Sequence, residues 1–568
     1  FLMGASTGAA YAVANPGVTD VKITQQTGTC TGIVKDATGE GVIGASVVVK
    51  GTTNGTITGL DGDFSLSNVK EGDIIVISFV GYATQEIKWT GKPLDVLLKD
   101  DTQLLGEVVV TALGMKREEK ALGYAVTELK SEELYTNTVN PVASLQGKVA
   151  GVEISNSDGG IFGSAKIQIR GASTLGSNNQ PIYVVDGVIL DNSTQGRDMD
   201  GEEIDAIDYG NELKNLNPDD FETVSVLKGA AATALYGSRG LNGAVVITTK
   251  GGGKFKGFGV DVTQTLGIDH AYKQPGIQTV YGPGARPGRI GYGENGNTWI
   301  PTYYTNAKGE PSLIGASTLG WGLPYDSSVM IEDYDGRKVP YSPIKNNMLD
   351  MYQLGFNTNT NVSVRGGNEK TSFYSSVSYK KVNATTPNNT FERYAFLVKG
   401  SHKISDRVDV AASVSFANSK PRNAARAVGE YFYQGLTPLY DAKYYRDKYL
   451  SEQGGIARSG DTYANVPESS KSYWFNIDNM DYNRKETVVR PILEVNVKIA
   501  DWVRFKGEGN MNYVYIREEN KELGTGVAYE GGNYKLAQQT KEQTTFAGTF
   551  TFDKAIKDFN LGGFIRGE

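Results

Sequence analysis

The second half of the sequence alternates between apolar and polar residues with a period of two. Alternating segments occur at residues 393–399, 408–416, 493–499 and 504–513. Because successive side chains of a β-strand point to opposite faces, each segment predicts a strand of about ten residues with one apolar and one polar face. Such strands build a transmembrane β-barrel with a polar lumen, and the same alternation also occurs in soluble β-sandwiches.

The lengths of the predicted connections favour the barrel over the sandwich. Short turns are predicted at residues 401–407 and 500–502, whereas long connections are predicted at residues 270–350 and 418–485. Membrane barrels have short turns at one rim and long loops at the other. We therefore predict part of a large antiparallel transmembrane β-barrel over residues 253–568, in contact with membrane lipid.

The N-terminal part of the chain has a different pattern. Residues 29–99 contain short alternating runs separated by Gly, Asn and Asp turns, which predicts a small β-sandwich. Cys30 is the single cysteine, so an intrachain disulfide is excluded, and we expect it to be buried in a strand. Residues 1–12 are typical of the end of a signal peptide, and residues 13–28 of a linker. We therefore expect export across a membrane.

A run of β-branched residues lies between Gly106 and Gly114, within a linker predicted over residues 100–128. The valines at 108–110 favour extended backbone, and the run is far too short to cross a bilayer, which takes about 20 residues as a helix. One interpretation is an internal strand, or an aggregation-prone segment guarded by its flanking charges. The other is a tethered strand that docks onto a second protein by strand addition.

Residues 129–252 predict a compact mixed α/β domain between the sandwich and the barrel. Strands are predicted at residues 152–154, 165–170, 182–185 and 245–250, and a helix is predicted at residues 230–235. The chain as a whole is therefore expected to be multidomain and mainly β.

Enzymatic chemistry has no support in the sequence. The two histidines, His270 and His402, lie in no motif, and a P-loop, a nucleophile elbow and zinc-ligand spacing are all missing. We therefore predict neither catalysis nor a cofactor. Asp198, Asp200 and Glu202 are weak candidates for a calcium site, although a solvated acidic loop explains them more simply. The net charge of −7 argues against nucleic acid as a partner.

Several motifs of the α/β segment point to a known family. They are Ile169-Arg170-Gly171, then Ile182-Tyr183-Val184-Val185-Asp186-Gly187, and Leu235-Tyr236-Gly237-Ser238-Arg239-Gly240. Residues 39–45 and 80–82 of the sandwich also resemble the carboxypeptidase-regulatory-like domain. Together these features resemble SusC/RagA-type TonB-dependent outer-membrane transporters, with the α/β segment as their plug domain.

The resemblance assigns a role to the β-branched run. It implies that the TonB-contacting strand consists of Glu107, Val108, Val109, Val110, Thr111 and Ala112. The family barrel has roughly 22 strands in a chain about twice as long, whereas about nine strands are predicted here. We therefore expect this chain to hold the N-terminal part of such a barrel. We also expect Arg170 to be buried and paired with a carboxylate of the plug or the barrel wall.

The resemblance also implies a function in the outer membrane. The plug and the regulatory-like domain would face the periplasm, a SusD-like surface lipoprotein would cap the barrel, and TonB with its inner-membrane energising complex would pull the plug open. The expected cargo is an oligosaccharide, or else a peptide.

Two other functions compete with this one. One is a siderophore or cobalamin receptor of the wider TonB-dependent class, but the regulatory-like domain and the Asp186-Gly187 motif of the plug favour the SusC branch. A non-transporting surface adhesin barrel would have no use for a strand that TonB can bind.

Overall fold

The computed structural model divides into two compact units, Phe1–Val108 with Glu118–Ala121, and Val109–Arg117 with Leu122–Glu568. The residues that it describes are 27–36, 39–52, 54–79, 82, 84–98, 108–110, 116–118, 126–130, 133–134, 139–156, 160–171, 179–191, 208–253, 257–284, 303–316, 320–424, 436–556 and 559–568. The predicted signal-peptide remnant and the acidic candidates Asp198, Asp200 and Glu202 lie outside these residues.

The first unit contains a small sandwich of two sheets. Its strands are β1 (Thr27–Lys35), β2 (Ser46–Val49), β3 (Gly55–Ile57), β4 (Asp63–Lys70), β5 (Ile74–Ser78), β6 (Gln85–Lys88) and β7 (Leu94–Leu97). The sheets have the orders β4-β1-β7 and β3-β2-β5-β6, and Val47, Phe64 and Ile75 pack in their shared core. Cys30 is fully buried in that core, and burial raises the pKa of its thiol. The predicted sandwich and the buried cysteine are both confirmed.

The plug domain is built on a mixed five-stranded sheet. After a short pair, β8 (Val108–Val110) and β9 (Lys116–Glu118), its strands are β10 (Val126–Lys130), β11 (Val152–Asn156), β12 (Ala165–Ile169), β13 (Ile182–Val185), β14 (Val188–Leu190), β15 (Phe221–Leu227) and β16 (Ala244–Thr249). The sheet order is β10-β15-β16-β13-β14, while β11 and β12 form a separate hairpin. Helix α1 (Ala230–Tyr236) follows β15. The strands and the helix predicted for this domain are confirmed.

The remaining strands form an antiparallel sheet of nine strands and one hairpin. They are β17 (Gly257–Asp269), β18 (Asp326–Glu332), β19 (Lys338–Tyr341), β20 (Gly355–Gly367), β21 (Thr371–Asn383), β22 (Thr390–Lys403), β23 (Val408–Arg422), β24 (Met480–Ala500), β25 (Val503–Glu522), β26 (Asn533–Ile556) and β27 (Phe559–Gly567). Strand β17 and strands β20 to β27 pair in chain order, and β18 pairs with β19. The predicted count of about nine barrel strands is confirmed.

The two faces of the nine-stranded sheet differ as the alternation predicts. On β22, Phe396 and Val398 are exposed on the outer face, whereas Arg393 and Leu397 are buried on the inner face. The plug covers the inner face, which is therefore the luminal face of the barrel. The outer face carries the apolar side chains that a lipid-facing surface requires.

The strands extend further than the sequence alternation indicated. The predicted long loop at residues 418–485 is shorter in the structure, because β23 continues to Arg422 and β24 begins at Met480. Strands β24, β25 and β26 contain 21, 20 and 24 residues, whereas crossing a bilayer takes about 9–11. Beyond the bilayer a strand needs no apolar outer face, which is why the alternation stopped before the strand did.

Helices are few in the described part of the chain. Helix α1 has seven residues, and α2 (Glu468–Asn479) has twelve and leads directly into β24. Within the described ranges, no helix combines the length and the apolar character needed to span a membrane.

The long connections pack into a common body at the rim opposite the short turns. Tyr334 from the β18–β19 hairpin packs edge-on against Tyr445, with ring centroids 5.9 Å apart. Phe475 from α2 stacks on Tyr529 from the β25–β26 connection at 6.1 Å. We call this cluster, formed by the described residues of 303–354, 436–479 and 523–532, the loop body.

Candidate functional site

The predicted TonB-contacting run is extended where the structure describes it. Val108, Val109 and Val110 form β8, which pairs with β9 in a two-stranded sheet. Glu107, Thr111 and Ala112 lie outside the described residues. A strand in a two-stranded sheet has a second edge, and such an edge can accept a strand from another protein.

A short plug segment lies across the barrel wall and forms the centre of the candidate site. Residues 211–220, called the anchor segment below, contain two turns of 3-10 helix, at Glu212–Asn215 and Pro218–Asp220. The Asn211 side chain caps the first turn by accepting a hydrogen bond from the Leu213 N–H. Leu213 and Leu216 pack in the plug core, so the polar residues between them face the barrel. The segment thus joins the plug core to the luminal face of strands β20 to β25.

The first half of the anchor segment meets β24 through a buried charge cluster. Lys214 Nζ lies 2.8 Å from Glu486 Oε1, and the two side chains are 1% and 0% exposed. Arg484 Nε donates to the same Glu486 oxygen at 2.7 Å, and Asn215 Nδ2 donates to Glu486 Oε2 at 2.9 Å. Burial lowers the pKa of Lys214, although Glu486 opposes this effect. Since both charges are out of water, removing either partner would leave the other uncompensated.

The anchor segment also contributes a buried carboxylate of its own, Glu212, which contacts both β24 and β25. Glu212 Oε2 lies 3.3 Å from Arg490 Nη2 and accepts a hydrogen bond from Asn512 Nδ2 at 3.0 Å. The neighbouring strand β23 contributes Ser419, whose hydroxyl donates to Asn215 Oδ1 at 2.5 Å. Three adjacent barrel strands are therefore held by one turn of the plug.

The second half of the anchor segment contacts the first strands of the sheet. Asn359 Nδ2 donates to Asp219 Oδ2 at 2.6 Å, and the Tyr374 hydroxyl donates to Asp220 Oδ1 at 2.9 Å. Burial raises the pKa of the Asp220 carboxyl. Arg393 of β22 donates from Nη1 to the carbonyl of Lys214 at 3.0 Å. These bonds extend the contact to β20, β21 and β22.

The predicted Asp186-Gly187 motif forms a second contact with the wall. Both residues have positive φ, 46° and 87°, as the tight turn between β13 and β14 requires. The Asp186 carboxylate accepts hydrogen bonds from the Thr249 N–H at 3.0 Å and from the Thr249 hydroxyl. Lys399 Nζ lies 3.3 Å from Asp186 Oδ2 and donates to the Thr249 carbonyl at 3.2 Å. Asp186 therefore links its own turn to β16 and to barrel strand β22.

One expectation for the plug motifs is wrong. Arg170 is exposed rather than buried, and no carboxylate among the described residues forms an ion pair with it. Strand β12 ends at Ile169, which occupies the buried position. Arg170 and Gly171 then take positive φ values of 62° and 85°, which turn the chain away from the core. The apolar strand before Arg170 suggested burial, but the turn reverses it.

The other predicted plug residues occupy separate places. Tyr183 is fully buried in the plug core. Tyr236 ends α1, and Gly237 with φ of 62° terminates that helix. Arg239 Nη2 lies 2.8 Å from Glu568 Oε1 beyond β27, with both side chains partly exposed. The motif residues therefore form turns and part of the plug core, and they do not come together in a single site.

No metal centre is present among the described residues, where no group of three or more His, Cys, Asp or Glu side chains could hold an ion. Asp208, an acidic residue that follows the candidates Asp198, Asp200 and Glu202 in the chain, is among the described residues and has a structural role. Its carboxylate accepts hydrogen bonds from the Ser164 N–H at 2.9 Å and the Ser164 hydroxyl at 2.8 Å. The calcium site considered at Asp198, Asp200 and Glu202 stays a prediction, because these residues lie outside the described ranges.

The loop body contains a cationic side chain between two carboxylates. Arg337 lies 2.7 Å from Asp333 and 3.2 Å from Asp335. Its guanidinium also stacks 3.2 Å from the centre of the Tyr444 ring, whose hydroxyl donates to Asp335 at 2.6 Å. Because Arg337 belongs to the β18–β19 hairpin and Tyr444 to the 436–479 connection, this cluster joins two long connections rigidly.

Sequence reasoning missed the wall partners of the plug. Lys399, Glu486 and Arg490 are more than 170 residues from the plug groups that they bind. The sequence does contain a signal for these partners, because charged residues recur on the predicted luminal face of strands whose other face is apolar. A charged residue at such a position indicates that something polar fills the lumen.

The family comparisons agree with this architecture. Residues 30–110 match the CarboxypepD_reg-like domain, and residues 118–244 match the TonB-dependent Receptor Plug Domain. The TonB-dependent receptor SusC of Bacteroides thetaiotaomicron is 35% identical over 400 residues, which are 70% of this chain and 34% of SusC. A TonB-dependent receptor of Formosa agariphila is 38% identical over 224 residues, 39% of this chain and 20% of that protein. The chain thus spans about a third or less of these relatives.

Solved structures show the same fold. The RagAB peptide importer in its closed-closed state aligns with a TM-score of 0.57 at 19% identity, over 78% of this chain and 47% of that chain. A plug domain seated on the luminal face of a barrel sheet defines the class of TonB-dependent receptors, which are outer-membrane β-barrels. Within that class the predicted resemblance to the SusC/RagA type is confirmed. The matched relatives are receptors and transporters rather than enzymes, as predicted.

Proposed function

We propose that this chain provides the plug and part of the barrel of a TonB-dependent importer, with the plug and the regulatory-like sandwich facing the periplasm. The observation that carries the proposal is the anchor segment, which attaches a folded plug to the luminal face of strands β20 to β25 through buried polar groups. A pore that is closed at rest and opened by force needs a closure that is internal and non-covalent. The similarity to SusC supports the same activity.

The path of the force follows from the order of the plug strands. In this proposal TonB, driven by its inner-membrane energising complex, binds residues 107–112 by strand addition and pulls. The next plug strand along the chain is β10, the edge strand of the sheet, which is hydrogen-bonded to β15. An edge strand can separate without breaking any other strand pair. We infer that β10 leaves first while the anchor segment still holds the rest of the plug.

The cargo is proposed to be an oligosaccharide, with a peptide as the second choice, and a SusD-like lipoprotein is proposed as the lid. Exposed aromatic side chains in the long connections support the first choice, because aromatic faces pack well against sugar rings. Trp321 and Tyr281 are both about half exposed. They lie on adjoining segments, because the backbone N–H of Trp321 donates to the Gly284 carbonyl at 3.3 Å. The solved RagAB relative is named a peptide importer, which supports the second choice.

Uptake measurements test this proposal. Cells that carry the full-length receptor and its lipoprotein partner would be given fluorescent oligosaccharides from starch, xylan and dextran, and separately labelled tryptic peptides of casein. We expect accumulation of one class that is lost in a strain without TonB. Equal accumulation with and without TonB would contradict the proposal. Uptake of ferric siderophores or cobalamin instead would favour the receptor alternative, and surface binding without any uptake would favour the adhesin.

A further inference from the structure

The plug touches the barrel wall along two seams of different character. In the anchor segment the paired charges Lys214 and Glu486 are 1% and 0% exposed. At the Asp186-Gly187 turn, the paired charges Lys399 and Asp186 are 27% and 12% exposed. Water can replace the partners of the second pair as it opens, whereas it cannot reach the first. The seam at the turn is therefore the easier one to separate.

A cavity of about 230 Å³ lies beside this turn, between the plug and the wall. Its wall side is formed by strands β22 to β27, with Lys399, Ser413, Glu494, Lys506 and Arg566 among its lining residues. The anchor segment, by contrast, is bonded directly to its strands through contacts of 2.5–3.3 Å. A smaller cavity of about 50 Å³ borders the anchor segment at Asn215, Leu216 and Asn217. A plug that moves away from the wall therefore already has more space at the turn than at the anchor.

On the wall side of the cavity the charges balance, because Lys399, Lys506 and Arg566 face Glu494, Glu508 and Glu568. Lys506 Nζ lies 3.1 Å from Glu494 and 2.7 Å from Glu508, and Arg566 lies 2.6 Å from Glu508. The wall side carries no aromatic side chain among its lining residues, and Tyr236 enters only from the plug. Such a surface offers hydrogen bonds to a polar chain without a net field that favours either sign of charge.

We propose that the passage past the plug opens along this seam, between the Asp186-Gly187 turn and strands β22 to β27, while the anchor segment stays bound. The passage takes an extended polar chain that is uncharged or zwitterionic, and the chain contacts Lys399, Glu494 and Lys506 on its way. This inference rests on the proposed function, because it requires that TonB opens the plug. It adds which of the two described contacts between the plug and the wall opens.

Two serines of strand β23 provide a matched pair of reporters. Ser413 lines the cavity and is 8% exposed, and Ser419 donates to Asn215 of the anchor segment and is 0% exposed. The variants Ser413→Cys and Ser419→Cys would each be made in a Cys30→Ser background, since Cys30 is the single cysteine of this sequence. Any cysteine elsewhere in the full-length receptor would be replaced by Ser in the same background. Cells importing the cargo would be treated with fluorescein-5-maleimide, with and without functional TonB.

The labelling rates separate the possible outcomes. We expect labelling of Ser413→Cys to rise about tenfold when TonB is functional, because a buried thiol reacts only from an open state. Labelling of Ser419→Cys should stay at its TonB-free level. A TonB-dependent rise at Ser419→Cys would overturn the inference, because it would mean that the anchor segment leaves the wall. A rise at neither position would also overturn it.

The same cells distinguish this failure from failure of the proposed function. Uptake in the Cys30→Ser parent is measured alongside labelling. If uptake depends on TonB but neither reporter responds, the passage lies elsewhere and the transport function stands. If uptake in the parent does not depend on TonB, the proposed function is contradicted, and the inference falls with it.

Discussion

Lys214 Nζ lies 2.8 Å from Glu486 Oε1 at a place where neither side chain reaches solvent. The first residue belongs to the plug and the second to barrel strand β24. Arg484 and Asn215 also donate to this carboxylate, so a single glutamate of the wall holds three donors. This cluster joins the plug to the barrel strand through buried polar contacts, and it holds the plug in place at rest.

Neutralising this glutamate should loosen the plug. Glu486→Gln leaves Lys214 charged and buried without its paired carboxylate, and leaves Arg484 with Glu518 at 3.2 Å as its remaining carboxylate partner. Losing one partner of such a buried pair costs about 3–5 kcal/mol. We expect a lower thermal midpoint for the purified receptor in detergent and faster entry of vancomycin into cells. The control is Asp501→Asn, which removes an exposed ion pair with Lys498 in the turn after β24. Equal melting of Glu486→Gln and the wild type, at equal expression, would contradict the role given to this cluster.

The contact between Asp186 and Lys399 should be weaker. Because the pair is partly exposed, Lys399→Ala is expected to cost about 1 kcal/mol or less. Asp186→Ala should cost more, because it also removes the acceptor for the Thr249 N–H and hydroxyl. Thermal midpoints of both variants and of the double variant measure the coupling between the two residues. A loss in Lys399→Ala as large as that in Glu486→Gln would contradict the distinction between the two seams.

The loop body depends on the chemistry of one arginine. Arg337→Lys keeps the charge but loses the planar group that binds Asp333 and Asp335 and stacks on Tyr444. We expect faster cleavage of the long connections by added protease on intact cells, with unchanged insertion into the membrane. Lys338→Arg, at the exposed neighbouring position, serves as the control. Protection equal to the wild type would show that the cluster does not hold the connections together.

Cys30 should report the folded state of the sandwich. Burial raises the pKa of its thiol, so the reactive thiolate is scarcer than in an unfolded chain at every pH near and below the ordinary thiol pKa of 9.0. The difference in reaction rate between folded and unfolded chains should be largest below that pH and should shrink as the pH rises through the folded-state value. Reaction with a small disulfide reagent, followed from pH 7 to 10 with and without urea, measures this difference. Equal rates in both states at pH 8 would contradict the buried position.

The sequence predicted much of the barrel because the physical cause is local. Residues 393–399 alternate since one face of β22 meets lipid and the other meets the lumen, and the periodicity of a strand shows this directly. The same logic failed where the environment changes, as in β24, which continues well beyond the apolar alternation. The prediction that Arg170 is buried failed for a related reason, because the positive φ values of Arg170 and Gly171 turn the chain away from the core.

The candidate site was largely out of reach for the sequence. Glu212 and Arg490 are 278 residues apart in the chain, and nothing local identifies them as partners. The Asp186-Gly187 turn could be located from its motif, but its contact with Lys399 depends on how the plug sits in the lumen. Long-range polar contacts follow from the assembled fold, whereas turns and strands follow from neighbouring residues.

The proposed function requires that TonB pulls on the strand at residues 108–110. Val109→Pro removes the N–H of one residue and restricts the residue before it, so at least one bond to an added strand is lost if that N–H faces the partner. The lost bond is worth about 0.5–1.5 kcal/mol, and the effect under tension should be larger because a pulled strand fails at its weakest point. Val109→Ala keeps the N–H and is the matched control. Adding Val108→Pro and Val110→Pro removes the neighbouring N–H groups as well, so that a donor is lost even if the Val109 N–H faces away from the partner.

The decisive measurement is the initial rate of TonB-dependent cargo uptake in cells carrying the triple proline variant, Val109→Ala or the wild-type receptor at equal surface expression. We expect uptake to be abolished in the triple proline variant and close to the wild-type rate in Val109→Ala, with cargo binding unchanged in both. Uptake at the wild-type rate in the triple proline variant would show that this strand does not couple the receptor to TonB.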